Sequence, residues 1–372
     1  MKTWTLLLGL VLVLIGLVVG AAEWTFMVYL DGDCDLEDCA ILDFLEMATV
    51  GSSADVNIVV QFDRLPGYDN SYGNWTDCRR GVVNAGNAPT TAWGASIGEV
   101  NMGDPETLRE FITWGVTNYP ANRYAVVLWN HGGGWRSTAP PGGRTPVLKE
   151  VCQDDTSRDV LYTANLRTAM TAAATPMDLI GFDACLMGMI EIAYELRGNG
   201  SVMTASEETL PGYGWPYDTI LADLAAAPTM TAAQFGTAIA TRYGAAYSGR
   251  ETLSVVDLSR VGTLAADLSA FSATVVTKNT DWGVINDARN AAAAFTYSEY
   301  RDLGMFINQV AANAADPDIA AVAALVQSDY AAAVIYNHSG PYEGGHWACG
   351  LFHHGRRHGQ PGLQWHGHRP GG

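Results

Sequence analysis

The chain has 372 residues, of which 48% are hydrophobic and 16% charged, with six cysteines and a formal net charge of −18. This composition excludes a disordered chain, which lacks apolar and aromatic residues, and a small disulfide-stapled scaffold, which needs denser cysteine. The acidity disfavours nucleic acid and anionic membrane surfaces as partners, because both select a basic face.

In chain order, the first segment stands apart from the fold. Lys2, the apolar run Leu6 to Val19 and the small residues Gly20-Ala21-Ala22 together read as a secretory signal over residues 1–22. The apolar run is shorter than the roughly 20 residues that a membrane span needs. The protein is therefore expected to be secreted, with no membrane contact once the signal is removed, or held at the cell surface if it is not cleaved. Outside the cytoplasm disulfides are allowed, and Cys34, Cys39, Cys78, Cys152 and Cys349 are the candidates. No Cys-x-x-Cys pair occurs, so no metal site is assigned.

Residues 23–351 read as one domain in which short apolar runs alternate with helical patterns. The expected strands are Thr25–Leu30, Val56–Phe62, Tyr124–Trp129, Leu179–Phe182, Val202–Ala205 and Leu253–Val256. Each is continuously apolar, as a strand covered on both faces should be. The expected helices are Asp35–Val50, Pro105–Asn118, Thr163–Ala174, Leu186–Leu196, Ala232–Tyr247 and Ser259–Val276. In the first of these, Leu36, Ala40, Phe44 and Ala48 form an apolar stripe with acids opposite, and Asp104 with Pro105 is an N-cap signal for the second. The Ala-rich stretches 222–246 and 291–333 read as plain helices, and the Gly-, Asn- and Trp-rich stretch Gly67–Asn101 as hairpins beside the sheet. This alternation predicts a three-layer α/β/α sandwich with a mostly parallel central sheet. Six of the eight histidines lie at or after His346, and no acidic residue follows Glu343. Residues 352–372 thus read as a His/Arg/Gly-rich tail of aberrant composition, from a frameshift or a disordered end.

Two strand ends carry candidate chemistry. Tyr124–Trp129 leads into Asn130-His131-Gly132-Gly133-Gly134-Trp135, and Leu179–Phe182 leads into Asp183-Ala184-Cys185. Ligands of parallel sheets bind beyond the carboxyl ends of strands, so neighbouring strands would bring His131 and Cys185 into one crevice. A thiol with an ordinary pKa near 8.5 needs a base to become a nucleophile, and His131 can supply it. At the start of a helix, Cys185 would also feel the positive end of the dipole. The amides of Gly132 and Cys185 are candidates for an oxyanion hole. A histidine roughly 50 residues before an Ala-Cys nucleophile is the caspase-type spacing, which His131 and Cys185 approximate. A competing esterase reading takes the His-Gly-Gly-Gly-Trp run as an oxyanion motif and Ser96, in Gly94-Ala95-Ser96-Ile97-Gly98, as nucleophile. In esterases, however, the glycine motif precedes the serine, and here Ser96 comes first.

The segments Met27-Val-Tyr-Leu-Asp31-Gly-Asp33, Asn101-Met-Gly-Asp-Pro105, Trp129–Trp135, Asp183–Gly188 and Gly212-Tyr-Gly-Trp-Pro-Tyr217 resemble the clostripain family of secreted cysteine peptidases, relatives of caspases, legumains and gingipains. The resemblance runs from Trp24 to about Leu351. It implies a caspase-like fold, a His131–Cys185 dyad and endopeptidase cleavage of protein or peptide substrates after Arg or Lys. Asp183 is similar in position to the pocket residue of legumains and caspases, and a carboxylate there would pair bidentately with Arg. Asp183 capping the following helix is the structural alternative, and Ser206 and Glu207 are weaker candidates for the pocket wall. Relatives often mature by cutting themselves between the two catalytic strands. Arg144 and Lys149, in the Gly/Pro-rich loop from Trp135 to Asp159, are the corresponding candidates. No cofactor is required by this reading. Calcium enters only because some relatives use it, since no Asp-x-Asp-x-Asp-Gly loop occurs. A monomer is expected. A non-catalytic member of the same fold, binding peptides or surfaces, remains the alternative from a different class.

Overall fold

The computed structural model describes residues 21–135, 150–340 and the backbone of 348–349. The signal up to Gly20, the self-cleavage candidates Arg144 and Lys149 and the tail 352–372 lie outside the described residues. In chain order the elements are β1 (Ala22–Gly32), α1 (Glu37–Val50), β2 (Val56–Arg64), β3 (Cys78–Val82), β4 (Ala95–Gly98), α2 (Pro105–Asn118), β5 (Ala121–Trp129), β6 (Glu150–Asp154), β7 (Asp159–Tyr162), α3 (Thr163–Ala172), β8 (Met177–Asp183), α4 (Ile190–Leu196), β9 (Gly200–Ala205), α5 (Tyr217–Ala226), α6 (Ala232–Ala246), β10 (Leu253–Asp257), α7 (Leu258–Lys278), α8 (Trp282–Ala291), β11 (Arg301–Asp302), α9 (Leu303–Asn313), α10 (Pro317–Ala333), β12 (Val334–His338) and β13 (Ala348–Cys349).

A nine-stranded sheet runs in the order β12-β10-β9-β8-β5-β1-β2-β3-β4. Its five central strands, β9-β8-β5-β1-β2, are parallel, and antiparallel pairs extend it at both edges. All six expected strands are present, and they owe their two-sided apolarity to the helices on each face. Along β1, Trp24, Phe26, Val28 and Leu30 enter the core beneath α1, α5 and α6, while Met27 and Tyr29 enter the opposite core. This is the two-residue period of a strand buried twice over. The Gly67–Asn101 stretch supplies the edge strands β3 and β4, and Asp104 caps α2 by accepting from the Glu106 amide at 2.8 Å.

Several expectations are corrected. The fourth helix begins at Ile190 rather than Leu186, because residues 184–189 form a turn braced by the end of β9. The stretch expected to be loop up to Asp159 contains β6, which pairs with β7 in a hairpin. The 291–333 stretch divides into α9 and α10, preceded by an irregular segment and β11. Among the described residues no cysteine is bonded to another, so the candidates Cys34, Cys39, Cys78 and Cys152 are free thiols. Ala22, placed in the signal, is already paired with Ala121 in the sheet.

The acids of α1 are not all on its outer face. Glu37 and Asp43 are buried, and the Glu37 carboxylate accepts from Arg64 Nε at 2.5 Å and from the Asp69 amide at 2.8 Å. Both partners of this ion pair are fully enclosed. Removing one charge from such a pair strands the other in a low-dielectric setting. Arg64→Met should therefore destabilise the fold by about 3–5 kcal/mol, more than its lost packing alone would cost. The urea midpoints of Arg64→Met and of the double variant Glu37→Leu/Arg64→Met check this, the double variant recovering part of the loss.

Candidate active site

Adjacent parallel strands fix the two catalytic candidates side by side. β5 and β8 pair in register, Trp129 opposite Asp183, so His131 and Cys185 each lie two residues past the end of a paired strand. The register continues one step further, with the Asn130 amide donating to the Asp183 carbonyl at 3.3 Å. Beyond it the two turns touch. A Cβ placed on Gly132 would lie 2.2 Å from the carbonyl oxygen of Cys185, so only glycine allows this approach. Gly134 adopts φ +73°, in the left-handed region, beside the Leu186 carbonyl.

His131 is held from both sides. Its amide donates to the Asn130 side-chain oxygen, and the Asn130 carboxamide nitrogen donates to the carbonyls of Asp31 at 2.8 Å and Gln153 at 2.9 Å. The ring Nε2 lies 2.7 Å from Asp35 Oδ1, on the loop after β1. If the neutral ring donates its Nε2 proton to Asp35, Nδ1 keeps its lone pair for proton transfer. Asp35 was not singled out from the sequence. Its role depends on the contact of β1 with β5, which no local pattern announces.

Cys185 is half-buried in the turn after β8. Its Sγ accepts from the Leu210 amide at 3.2 Å, and burial raises the thiol pKa more than that bond lowers it. The expected help from a helix N-terminus is absent, because α4 starts at Ile190. The thiol thus rests protonated at neutral pH and needs a base to ionise. The turn is anchored by Leu186 N–H to the Glu208 carbonyl at 3.1 Å and Gly188 N–H to the Ser206 carbonyl at 2.7 Å. Leu186 itself has φ +64°, an uncommon conformation for a branched residue that these two bonds hold in place.

Asp183 lies deeper than expected for an open pocket. Its Oδ2 accepts from the Trp215 amide at 2.9 Å and the Tyr217 hydroxyl at 3.0 Å, and it caps no helix. Buried Asp43 stands across Gly214 from it, accepting from the Trp129 indole at 2.6 Å. Burial, the dominant cause, pushes the Asp183 carboxyl up to about 7. Ser206 and Glu207 are also buried, just past the end of β9. Ser206 Oγ lies 3.1 Å from Thr252 Oγ1, Glu207 accepts from the Ser254 hydroxyl, and burial pushes Glu207 up to about 8. Ser206 braces the nucleophile turn through its carbonyl, and neither Ser206 nor Glu207 is exposed.

Open space adjoins Leu210, whose amide bonds the Cys185 sulfur. A cavity of about 540 Å³ is lined by Glu208, Leu210, Arg250, Glu251, Phe295 and Thr296 among others. Glu208 takes the Thr296 amide at 3.1 Å, and Arg250 lies 3.7 Å from its other oxygen. Sequence reading missed these residues because they converge from three separate loops. Ser96, the esterase candidate, sits on exposed β4, an edge strand four places from β5 in the sheet, so the esterase geometry does not exist. One group here could hold a soft metal: single ligand atoms of Cys34, Asp35 and His131 all lie within 4.8 Å of one another.

The chain is similar to known proteins of one family. The sequence model of the clostripain family matches residues 28–353. Clostripain from Hathewaya histolytica is 33% identical over 221 residues, covering 53% of this chain and 41% of that protein; the chain thus spans about two fifths of that relative's length. Among solved structures, a secreted C11 cysteine protease from Bacteroides thetaiotaomicron in complex with an irreversible peptide inhibitor superposes with a TM-score of 0.61 at 21% identity, covering 88% of each chain. An inactive zymogen C11 protease from Parabacteroides distasonis gives 0.62 at 22% identity, covering 88% of this chain and 89% of that one. At that identity the likeness establishes the shared fold.

Gly132→Ala is expected to lower kcat/KM at least 100-fold, because the new methyl must displace the Cys185 backbone and a shift of about 1 Å at a reacting group costs that much. Steady-state kinetics beside a thermal melt check this; the melt should move far less than the activity.

Proposed function

This chain belongs to the clostripain family, and on that premise we propose that it is a secreted cysteine endopeptidase in which Cys185 is the nucleophile and His131 the acid–base. The observation that carries this reading is the in-register pairing of β5 and β8, with Gly132 packed on the Cys185 backbone. His131 Nδ1 takes the Cys185 proton, and the thiolate attacks the scissile carbonyl carbon. The amides of Gly132 and Cys185 receive the developing oxyanion. The imidazolium then gives its proton to the leaving amine as the C–N bond breaks, and water, deprotonated by His131, hydrolyses the thioester. Asp35 acts on His131 rather than on substrate, fixing the ring and its tautomer.

The proposed substrates are proteins and peptides with Arg or Lys at the cleavage site, bound by a monomer. The support is electrostatic. Asp183 and Glu208 both act on the Cys185 thiol, and Glu208 and Glu251 line the neighbouring cavity, where the Arg250 guanidinium faces Glu208. Such a concentration of carboxylates selects a cationic side chain. Direct pairing with Asp183 requires the Gly212–Trp215 segment to withdraw from it. Self-processing after Arg144 or Lys149, in the connection between the two catalytic strands, completes the proposal.

Fluorogenic peptides ending in Arg, Lys or Asn test the reading. Wild type should turn over the Arg or Lys peptides, Cys185→Ala should show no turnover, and Asp183→Asn should raise KM for the basic peptides. Turnover of the Asn peptide alone would reject the acidic-pocket assignment, and a folded but inert wild type would favour a peptide-binding role. Intact mass spectrometry checks processing: wild type should yield two fragments divided after Arg144 or Lys149, and Cys185→Ala one chain. A single wild-type chain with full activity would refute self-cleavage.

A further inference from the structure

Cys34 has no place in the peptidase mechanism, yet it completes a cluster with two residues that do. It directly precedes Asp35 on the loop after β1, and single ligand atoms of Cys34, Asp35 and His131 all lie within 4.8 Å of one another. Nε2 is the His131 nitrogen that faces Asp35, at 2.7 Å. The Cys34 side chain is fully buried, whereas the Asp35 side chain is 71% exposed and that of His131 40% exposed. The cluster therefore has a buried floor and an open mouth. Asn130, whose carboxamide nitrogen is fixed on the carbonyls of Asp31 and Gln153, also points that nitrogen at Cys34 Sγ, 3.4 Å away. Glu150, at the start of β6, adds a further carboxylate within reach of the His131 charge.

Thiolate sulfur, imidazole nitrogen and carboxylate oxygen are the donors of zinc, and three protein ligands with a fourth position left to water make the open type of zinc site. The sulfur disfavours calcium and magnesium, which take oxygen ligands. Tetrahedral zinc, with bonds of about 2.0–2.3 Å, sets its ligand atoms roughly 3.5 Å apart. Rotation of the exposed Asp35 side chain and of the His131 ring covers the difference from the present spacing. We propose that Cys34, Asp35 and His131 form a zinc site that, when filled, takes the catalytic base out of service. As the Zn–S bond forms, the Cys34 thiol loses its proton to solvent, and the Asn130 N–H supports the charge on the sulfur. Nε2 gives its lone pair to the ion, and the proton it held passes by way of solvent to Nδ1. Nδ1 is the atom that must accept the Cys185 proton. Zinc thus reverses the tautomer that Asp35 otherwise imposes, and it prevents ionisation of the nucleophile without touching it. This consequence rests on the proposed His131–Cys185 dyad, whereas the site itself does not.

The test uses the full chain as Cys185→Ala, so that the nucleophile cannot itself bind the ion, with cobalt(II) as the spectroscopic stand-in for zinc. Cobalt titration should produce a thiolate-to-metal charge-transfer band that zinc chloride displaces. The histidines at and after His346 take up the same metals without such a band, and Cys349→Ala should leave the band intact. Cys34→Ala should abolish it. Asp35→Asn, at an exposed side chain whose change does not threaten the fold, should weaken cobalt and zinc binding at least about tenfold, the least that losing a hydrogen-bond partner of a metal ligand costs. Nitrogen-15 correlation spectra of the neutral histidine rings should show the His131 proton on Nε2 without metal and on Nδ1 with zinc. In the active chain, zinc should inhibit peptide hydrolysis, a zinc chelator should restore it, and Cys34→Ala should need at least about tenfold more zinc relative to its own metal-free rate. A folded parent without the charge-transfer band, a band that survives Cys34→Ala or a His131 proton that stays on Nε2 in zinc overturns the proposal. So does inhibition that Cys34→Ala leaves unchanged, which would put the ion on Cys185. A wild type that binds zinc through Cys34 yet cleaves no peptide would instead reject the peptidase reading.

Discussion

The pairing of β5 with β8 is the constraint on which the site depends. Hydrogen bonds between parallel strands fix register to within one residue, and a slip of one would turn every side chain to the other face. With Trp129 opposite Asp183, the residues two positions later are committed to the same edge of the sheet. Gly132 converts this into contact, since the absence of a side chain lets one turn lie on the carbonyl of the other. Everything else at the site is bracing. Asn130 holds the histidine turn to the loop after β1, and the carbonyls of Ser206 and Glu208 hold the cysteine turn to the end of β9.

A chain this acidic must decide where its carboxylates go. Many lie on the surface, but a notable set is buried at the carboxyl edge of the sheet: Asp31, Asp33, Asp43, Asp63, Asp154, Asp183 and Glu207. Desolvation penalises each charged form, and the structure meets the cost in different ways. Asp43 and Asp183 take indole, amide and hydroxyl donors, and Glu207 takes Ser254. Glu37 alone in α1 has a full counter-charge, in Arg64. Concentrating negative charge beyond strand ends is unfavourable for folding and useful for holding cations.

Much of this was legible beforehand because it is local. Short runs of four to seven mostly apolar residues marked the central strands, and a strand ending in His-Gly-Gly-Gly or Asp-Ala-Cys marked the candidate chemistry. The helix after Cys185 was misjudged for an equally local reason. The apolar pattern of Leu186 to Leu196 is continuous with a helix, but tertiary bonds from Leu186 and Gly188 to the β9 edge pull the first turn out of it. The same override leaves the Cys185 thiol outside the reach of the α4 helix dipole. In α1 the acids looked solvent-facing by periodicity, yet Glu37 and Asp43 are buried because their partners, Arg64 and Trp129, arrive from other strands.

The sequence by itself determined the layered α/β architecture and the order of the central strands' elements along the chain, and it singled out His131 and Cys185 as candidates, because hydrophobic period and residue chemistry are properties of neighbours in the chain. Only the tertiary structure decided that Asp35 faces His131 with Cys34 beside them, and that Asp183 lies enclosed by Trp215 and Tyr217. Those relations join residues tens of positions apart, and their energies arise from burial and contact that exist only once the sheet has assembled.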